Sequence, residues 1–157
     1  MGYPIMSPQK IEAASRSQTE SRRAPLNVAI VGFGTVGRSV AKVLSSGIHP
    51  SLRLSAICNR DIERKRDEWV SPSVQWTDSI DAVIASDTDI VVELIGGLEP
   101  AGDLIRRSLQ ANKSVVTANK QLISTHGVEL LALARRHKRE LLFDIGRRRH
   151  PHRPRRS

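Results

Sequence analysis

The chain of 157 residues has little cysteine, few aromatic residues and no long apolar run. Its single cysteine, Cys58, excludes an internal disulfide framework and fits a reducing compartment, so we expect a cytoplasmic protein. Aromatic residues make up only 3% of the chain, and its core must therefore be aliphatic, with Cys58 as a packing residue. No apolar stretch approaches the roughly 20 residues that span a bilayer, which argues against a membrane partner.

The formal net charge of +9 suggests nucleic-acid binding until its distribution is considered. Six arginines and no acid lie within the last eleven residues, and residues 1–24 carry a further excess of two positive charges. The body between these ends is close to neutral. The basic charge therefore belongs to the ends of the chain, and we do not expect nucleic acid to be the partner of the folded part.

Composition divides the chain into three segments. Residues 1–24 are rich in Ser, Gln and Arg without a hydrophobic period, which predicts a disordered leader. A transit peptide shares that composition, but two glutamates and sparse apolar residues count against it. Residues 25–145 alternate short β-rich runs with helical stretches and form the predicted domain. Residues 146–157 contain two prolines and no apolar period, which predicts a disordered basic tail.

The central segment predicts an α/β fold. Strands are expected over residues 26–31, 52–58, 74–76, 89–95, 114–117 and 140–143. With Asp78 as the N-cap of the third, helices are expected over residues 35–46, 62–70, 79–85, 100–111 and 120–138. Such alternation predicts parallel strands joined by right-handed crossovers. We therefore expect a Rossmann-like, doubly wound parallel sheet of about six strands.

A glycine-rich turn follows the first strand and opens the first helix. It reads Gly32-Phe33-Gly34-Thr35-Val36-Gly37, the G-x-G-x-x-G pattern of dinucleotide-binding folds in the context that the pattern requires. Gly32 permits the tight turn, Gly34 lets backbone approach a pyrophosphate, and Gly37 lets the helix pack close to the strand. The free N–H groups and partial positive charge of the helix N-terminus favour phosphate. All six residues are candidate cofactor-binding residues.

The end of the second strand bears on the choice between NAD and NADP. An acid there hydrogen-bonds the ribose 2′-hydroxyl of NAD, whereas a nearby arginine accommodates the 2′-phosphate of NADP. Arg60 comes first and Asp61 follows it directly. We therefore expect Arg60 to contact the cofactor and NADP to be preferred. Two alternatives stay open: Asp61 takes the acid's role and NAD is the cofactor, or Arg60 belongs to a solvated helix start.

Two further segments narrow the family. They read Val91-Val92-Glu93-Leu94-Ile95-Gly96-Gly97 and Val115-Val116-Thr117-Ala118-Asn119-Lys120. Together with the glycine-rich turn, and in order from about Leu26 to Asp144, they resemble the N-terminal half of the homoserine dehydrogenase family. The resemblance implies the cofactor-binding half of an NAD(P)-dependent enzyme that interconverts homoserine and aspartate 4-semialdehyde in threonine and methionine biosynthesis.

The resemblance also implies roles for residues near the ends of the fourth and fifth strands. Lys120 matches a family lysine beside the nicotinamide and the substrate, which makes it the candidate catalytic residue and a cofactor contact. Thr117 matches a cofactor-contacting position, and Gly96 and Gly97 lie where backbone passes close to the nicotinamide ribose. The chemistry is compatible, because an ammonium stabilises the alkoxide that develops when an aldehyde accepts hydride.

Other residues of this region keep two interpretations. Without the resemblance, Lys120 would be taken as a solvated lysine at a helix start. Glu93 either orients backbone in the site or is a buried, hydrogen-bonded strand end. No metal site is expected, because His126 and His137 lie too far apart on a predicted helix and no Cys or Asp cluster joins them.

The resemblance ends abruptly after Asp144. The family continues with a glycine-rich crossing close to S-V-A-G-G-I-P, whereas residues 145–154 here read IGRRRHPHRP. Codons can be chosen for those ten residues that, shifted by one base, read S-V-A-G-G-I-P-I-V, so we interpret the tail as the family segment read out of frame. The substrate domain and most of the family's homodimer interface are then absent. We expect such a chain to bind the dinucleotide without turning over the substrate.

Two alternatives stay open at this point. A stand-alone nucleotide-binding module would use the arginines of residues 146–157 to hold nucleic-acid phosphates in a salt-dependent manner. The body of the chain offers no basic stripe or aromatic platform to support that function. Another Rossmann oxidoreductase, acting on a semialdehyde or an amino acid, would share the glycine-rich turn but not the two later segments.

Overall fold

The structure is a computed structural model and describes residues 23–144. The predicted tail and nearly all of the predicted leader lie outside these residues. The strands β1 to β6 are Leu26–Val31, Leu52–Cys58, Gln75–Thr77, Ile90–Glu93, Ser114–Thr117 and Leu141–Phe143. The helices α1 to α5 are Thr35–Ser45, Ile62–Lys65, Ile80–Ala85, Ala101–Gln110 and Lys120–Arg136. Of the helices within residues 23–144, none is long and apolar enough to cross a membrane.

The six strands form one parallel sheet in the order β3-β2-β1-β4-β5-β6. The predicted doubly wound α/β fold is therefore confirmed. Strand β1 pairs with β2 on one side and with β4 on the other, so the strand order reverses at β1. Open α/β sheets bind their ligands outside the carboxyl ends of the strands at such a reversal.

The sheet is buried on both faces, which explains the near-continuous apolar runs of its central strands. Successive residues of β1 alternate between two hydrophobic layers, with Val28 and Ile30 on the α1 side and Ala29 and Val31 on the opposite side. The opposite layer is completed by α3, α4 and α5, through side chains such as Val83, Leu104, Ile105, Leu109, Leu122 and Leu130. Both layers are largely aliphatic, as the composition predicts.

Strand β2 carries one residue more than its partner. Val28 pairs with Leu54 and Ala29 pairs with Ala56, so Ser55 forms a β-bulge, and its hydroxyl donates to the Val28 carbonyl at 3.2 Å. Beyond the bulge, Ile57 points into the α1 layer and Cys58 into the opposite layer. The bulge therefore decides which layer receives each side chain at the carboxyl end of β2.

Most predicted elements agree with the structure to within two residues at either end. The helix expected over residues 62–70 is wrong in extent, because α2 ends at Lys65 and Arg66 is extended. Asp67 instead turns toward α1, where Arg38 Nη2 lies 2.5 Å from its carboxylate. The N-cap of α3 is Ser79, whose hydroxyl accepts the Ala82 N–H at 3.2 Å, so the assignment of Asp78 as the cap is wrong.

Candidate functional site

Three glycines shape the turn between β1 and α1, and each meets different surroundings. Gly32 has a φ of +103°, and a Cβ there would lie 2.8 Å from the Leu94 carbonyl group. A Cβ on Gly37 would overlap the Gly32 carbonyl oxygen. A Cβ on Gly34 would meet no atom within 4 Å. Packing within the protein therefore requires glycine at Gly32 and Gly37, whereas Gly34 faces open space.

Helix α1 begins with its backbone donors uncapped. Its N-cap is Gly34, and within residues 23–144 no side chain caps it and no acid occupies its first turn. Thr35 and Val36 are exposed at this end of the helix. The first N–H groups of a helix lack partners within the helix and carry partial positive charge. An anion of the size of a phosphate therefore has both the space and the donors that it needs beside Gly34.

Phe33 lies in the same turn but points away from the open space. Its side chain is fully buried, with ring centroids 5.1 Å from Trp76 and 6.4 Å from Trp69. Its N–H donates to the Asn59 side-chain oxygen at 3.1 Å, which fixes the turn to the end of β2. Phe33 is therefore a core residue in this structure, and its side chain and N–H are both already engaged.

A cleft of about 410 Å³ opens outside the carboxyl ends of β1 and β2. This volume lies within the range of small-molecule sites, roughly 300–1,000 Å³. The residues that line it include Arg60, Asp78, Ile95, Gly96 and Pro100. We call it the β2 cleft.

Arg60 and Asp78 bring opposite charges to the β2 cleft. Both side chains are exposed, and Arg60 forms no hydrogen bond or ion pair with the described part of the chain. Asp61 does not line the cleft, and its carboxylate lies 3.5 Å from Arg64 Nη1. Of the two side chains that could contact the ribose of the cofactor, Arg60 therefore lines the cleft and Asp61 does not. Asp78 is an acid at the cleft that the sequence analysis missed as a ligand candidate.

Cys58 also borders the β2 cleft. Burial, helped by the negative charge of Asp78, raises the pKa of the Cys58 thiol to about 11. The thiol therefore stays protonated near neutral pH, and only a thiolate is an effective nucleophile. With 4% of its surface exposed, Cys58 is a packing residue, as its apolar strand predicts.

A smaller pocket, of about 140 Å³, lies at the ends of β4 and β5. The residues that line it are Val36, Glu93, Leu94, Gly96, Ala118 and Asn119. We call it the β5 pocket. Gly96 borders both the β5 pocket and the β2 cleft, and α1 contributes Val36 to the pocket. Gly96 and Gly97 have φ values of +72° and +73°, a conformation that side-chain-bearing residues rarely adopt.

A buried hydrogen-bond network lies beneath the turn that contains Gly96. Glu93 and Thr117 face each other across β4 and β5, and the Thr117 hydroxyl donates to Glu93 Oε2 at 2.5 Å. Glu93 Oε1 accepts the N–H groups of Ile95 and Gly96 at 2.8 and 3.0 Å. Glu93 is fully buried, so both interpretations of it apply: it is a buried strand end, and it holds loop backbone.

Asn119 joins two loops at this edge of the sheet. Its side-chain oxygen accepts the Leu122 N–H at 3.1 Å as the N-cap of α5, and its amide nitrogen donates to the Gly97 carbonyl at 2.6 Å. The Asn119 N–H itself donates to the Thr117 hydroxyl oxygen at 3.0 Å. The sequence analysis did not single out Asn119, although asparagine directly before a helix is a recognised capping signal.

Lys120 is the first residue of α5 and is exposed. Within residues 23–144 its ammonium has no hydrogen bond or ion pair. A cation at a helix N-terminus opposes the helix dipole, at a cost of about 0.3–1 kcal/mol. Helix stability therefore does not explain a lysine here. Lys120 therefore lies at the carboxyl ends of β4 and β5, as do Thr117, Gly96 and Gly97.

The described part of the chain holds no group of three or more His, Cys, Asp or Glu side chains that could bind a metal ion.

Comparisons with known proteins converge on one family. Residues 32–144 match the family model described as "Homoserine dehydrogenase, NAD binding domain". The chain is 36% identical over 126 residues to homoserine dehydrogenase of Corynebacterium glutamicum, covering 76% of this chain and 28% of that enzyme. It is also 36% identical over 130 residues to the Lactococcus lactis enzyme, covering 76% of this chain and 30% of that enzyme.

A solved structure of similar fold is the homoserine dehydrogenase of Staphylococcus aureus. It matches with a TM-score of 0.71 and 32% sequence identity, covering 78% of this chain and 33% of the other. The chain thus spans less than a third of the length of the curated relatives named above.

Proposed function

The chain belongs to the homoserine dehydrogenase family, and we propose that its described domain binds a nicotinamide dinucleotide for the interconversion of homoserine and aspartate 4-semialdehyde. The observation that carries the proposal is Gly34. It combines open space, uncapped helix donors and a position at the point where the strand order reverses. Pyrophosphate is the anion that such a turn accepts in dinucleotide-binding folds.

The two cavities suggest where the two halves of the cofactor bind. The β2 cleft has the volume for an adenosine, and the β5 pocket borders the loops that carry the predicted nicotinamide contacts. The backbone from Gly34 to Val36 would then hold the pyrophosphate between them. Thr117, Gly96 and Gly97 are the proposed contacts at the nicotinamide end. Because the Phe33 side chain is buried, its part in this arrangement is to fix the turn.

Arg60 supports NADP as the preferred cofactor. Its guanidinium is unpaired in the described residues and lines the β2 cleft, so it can meet a 2′-phosphate without first breaking an ion pair. Asp78 lines the same cleft and would favour the 2′-hydroxyl of NAD. We propose that the charge of Arg60 prevails, with NAD as the weaker ligand.

Lys120 is the proposed catalytic residue. The bound dinucleotide supplies or accepts the hydride. Reduction of the aldehyde generates negative charge on its oxygen, and the ammonium of Lys120 would stabilise that charge at the open edge of the sheet. The unpaired state of this ammonium supports the role, because no carboxylate among residues 23–144 neutralises it. Donation of the proton needs a second positioned group.

We propose that the described domain binds the cofactor and that other parts of the protein orient the substrate. Hydride transfer requires a donor and a substrate held in register. Since the chain spans less than a third of its relatives, we propose that residues 25–145 form the cofactor-binding domain and that the remaining length of such an enzyme holds the substrate. Aspartate semialdehyde and homoserine are then partners of the longer protein, which we place in the cytoplasm and in threonine and methionine biosynthesis.

Calorimetric titration of the purified 157-residue chain with NADPH and with NADH tests the proposal. We expect saturable binding of both ligands, with the lower Kd for NADPH. Circular dichroism with a cooperative thermal transition establishes that the sample is folded. Folded protein that saturates with neither ligand contradicts the proposed function. Measurable oxidation of homoserine by this chain alone contradicts the proposal that the substrate is held elsewhere.

A further inference from the structure

We propose that Glu93 and Asn119 are positioning residues, which hold the nicotinamide end of the site in its binding shape through hydrogen bonds to its two loops. The inference rests on the proposed function. It concerns two loops that the ligand must fit between, namely the Gly96–Gly97 turn after β4 and the corner from Thr117 to Lys120 after β5. Glu93 and Asn119 connect these two loops by side-chain hydrogen bonds.

The Glu93 carboxylate makes its hydrogen bonds to the protein on both sides of the β4–β5 pair. It is fully buried, it accepts two N–H groups from the loop after β4, and it accepts the hydroxyl of Thr117 from β5. These three bonds engage both oxygens of the Glu93 carboxylate, and the residue has no exposed surface. Two of the donors come from the loop after β4 and the third comes from β5, so the carboxylate links these two segments.

Asn119 makes the second connection between the loops, from the opposite direction. Its amide nitrogen reaches across to the Gly97 carbonyl while its oxygen caps α5, the helix that begins with Lys120. The position of the helix start is therefore tied to the position of the glycine turn. Asn119 also borders the β5 pocket, and 8% of its surface is exposed.

The connection matters because the glycine turn lies at the surface of the domain. A Cβ on Gly96 would meet no atom within 4 Å, so the turn is open on that side. Gly96, Gly97 and Leu98 are all exposed. The hydrogen bonds from Glu93 and Asn119 therefore tie this exposed turn to the buried ends of β4 and β5. A binding surface held in advance avoids the free-energy cost of ordering it when the ligand binds.

A pair of ligands separates positioning from general folding. NADPH fills both halves of the site, whereas 2′,5′-ADP carries only the adenosine half. Asn119→Asp keeps an oxygen to cap α5, removes the donor to Gly97, and brings a negative charge to its carbonyl. We expect the Kd of NADPH to rise about tenfold and the Kd of 2′,5′-ADP to change less than twofold. Glu93→Gln, which leaves the Thr117 hydroxyl without its carboxylate acceptor, is expected to act in the same direction.

Lys113 provides the matched control at the opposite end of the same strands, where β4 and β5 begin. It is also buried, and its ammonium joins β5 to the segment before β4 by donating to the carbonyls of Ser86 and Thr88 at 2.6 and 2.9 Å. Lys113→Met removes a loop connection of the same kind away from the proposed site. We expect a lower Tm with both Kd values unchanged.

Selective loss of NADPH affinity in both site variants supports the inference, and if Glu93→Gln fails to fold, Asn119→Asp decides alone. Equal weakening of both ligands, or no weakening of either, overturns it. A wild-type chain that binds NADPH no more tightly than 2′,5′-ADP overturns the inference. The adenosine half of the proposed site would still stand in that case. A wild-type chain that binds neither ligand overturns the proposed function as well.

Discussion

The two glycines at the ends of the Gly34–Gly37 segment should respond oppositely to the same added methyl group. At Gly34 the Cβ of alanine would meet no protein atom within 4 Å, and the backbone φ of −86° is one that alanine adopts freely. Loss of glycine at the N-cap costs at most about 1 kcal/mol. At Gly37 the same Cβ overlaps the Gly32 carbonyl oxygen, which belongs to backbone and cannot rotate away.

The expected magnitudes follow from these surroundings. Gly37→Ala should gain about 1 kcal/mol of helix propensity but lose about 1–3 kcal/mol or more to overpacking, so the net effect is a lower Tm. Gly34→Ala should leave the Tm within a few degrees of wild type. Its methyl group would occupy the space of the pyrophosphate and displace at least one charge-assisted hydrogen bond, worth about 1.5–3 kcal/mol. That loss corresponds to a Kd about 10- to 150-fold higher.

Differential scanning fluorimetry measures the Tm of both variants, and calorimetric titration with NADPH and NADH measures their affinity. The expected pattern is a stable Gly34→Ala protein that binds poorly and a destabilised Gly37→Ala protein. A Gly34→Ala chain that binds either dinucleotide with wild-type affinity would refute the assignment of the open space to the pyrophosphate. A Gly34→Ala chain that unfolds would show that the space is not free.

Three further changes test other parts of the molecule. Arg60→Ala should raise the Kd of NADPH about tenfold and leave that of NADH within twofold in calorimetric titrations, and an equal effect on both ligands would remove Arg60 from the choice of cofactor. Because burial raises the pKa of Cys58 from 9.0 to about 11, the thiol favours the folded state below pH 9 and loses that contribution as the pH rises to about 11. Urea unfolding from pH 8 to 11 should therefore show wild type losing up to about 3 kcal/mol relative to Cys58→Ala, and parallel curves for the two proteins would contradict this. Ser79→Ala removes the side-chain cap of α3 and should lower the free energy of unfolding by about 0.5–2 kcal/mol, whereas Asp78→Ala, beside it, should change it less.

The sheet was predictable because its strands carry their own signal. The bounds of β1, β2 and β5 agree with the expectation to the residue, since each is a compact β-rich run with turn residues on either side. Parallel pairing followed from the alternation with helices. The glycine-rich turn was also predictable, because Gly32 and Gly37 answer local steric demands and Gly34 keeps the helix start open.

Features set by distant contacts were not predictable. The charged segment after Asp61 has the composition of a helix, but the ion pair between Arg38 and Asp67 and the burial of Val70 end α2 after four residues. Tertiary contacts outweigh helix propensity, which amounts to a few tenths of a kcal/mol per residue. Asp78 and Ser79 are both good capping residues, and only the path of the chain decides between them.

The hydrogen-bond network around Glu93 could not be predicted from the sequence without knowing the strand order. Glu93 and Thr117 are 24 residues apart in the chain and become neighbours only because β4 pairs with β5 in that register. The bond from the Asn119 amide nitrogen to the Gly97 carbonyl depends on the same pairing, whereas the other two bonds of Asn119 are local in the chain. The sequence therefore indicated which strand ends carry polar residues, but not which of them touch.

The bulge in β2 makes the strand tolerant of a change in its length at one position. Ser55 has no pairing partner in β1, because its chain neighbours Leu54 and Ala56 already pair with consecutive residues of β1. Deletion of Ser55 would straighten the strand while every later side chain kept its layer. Deletion at Ile57 or beyond would instead turn the following side chains over and withdraw Asn59 from Phe33. Relatives that differ by one residue in this strand can therefore keep the same nucleotide-binding edge only if the difference falls at the bulge.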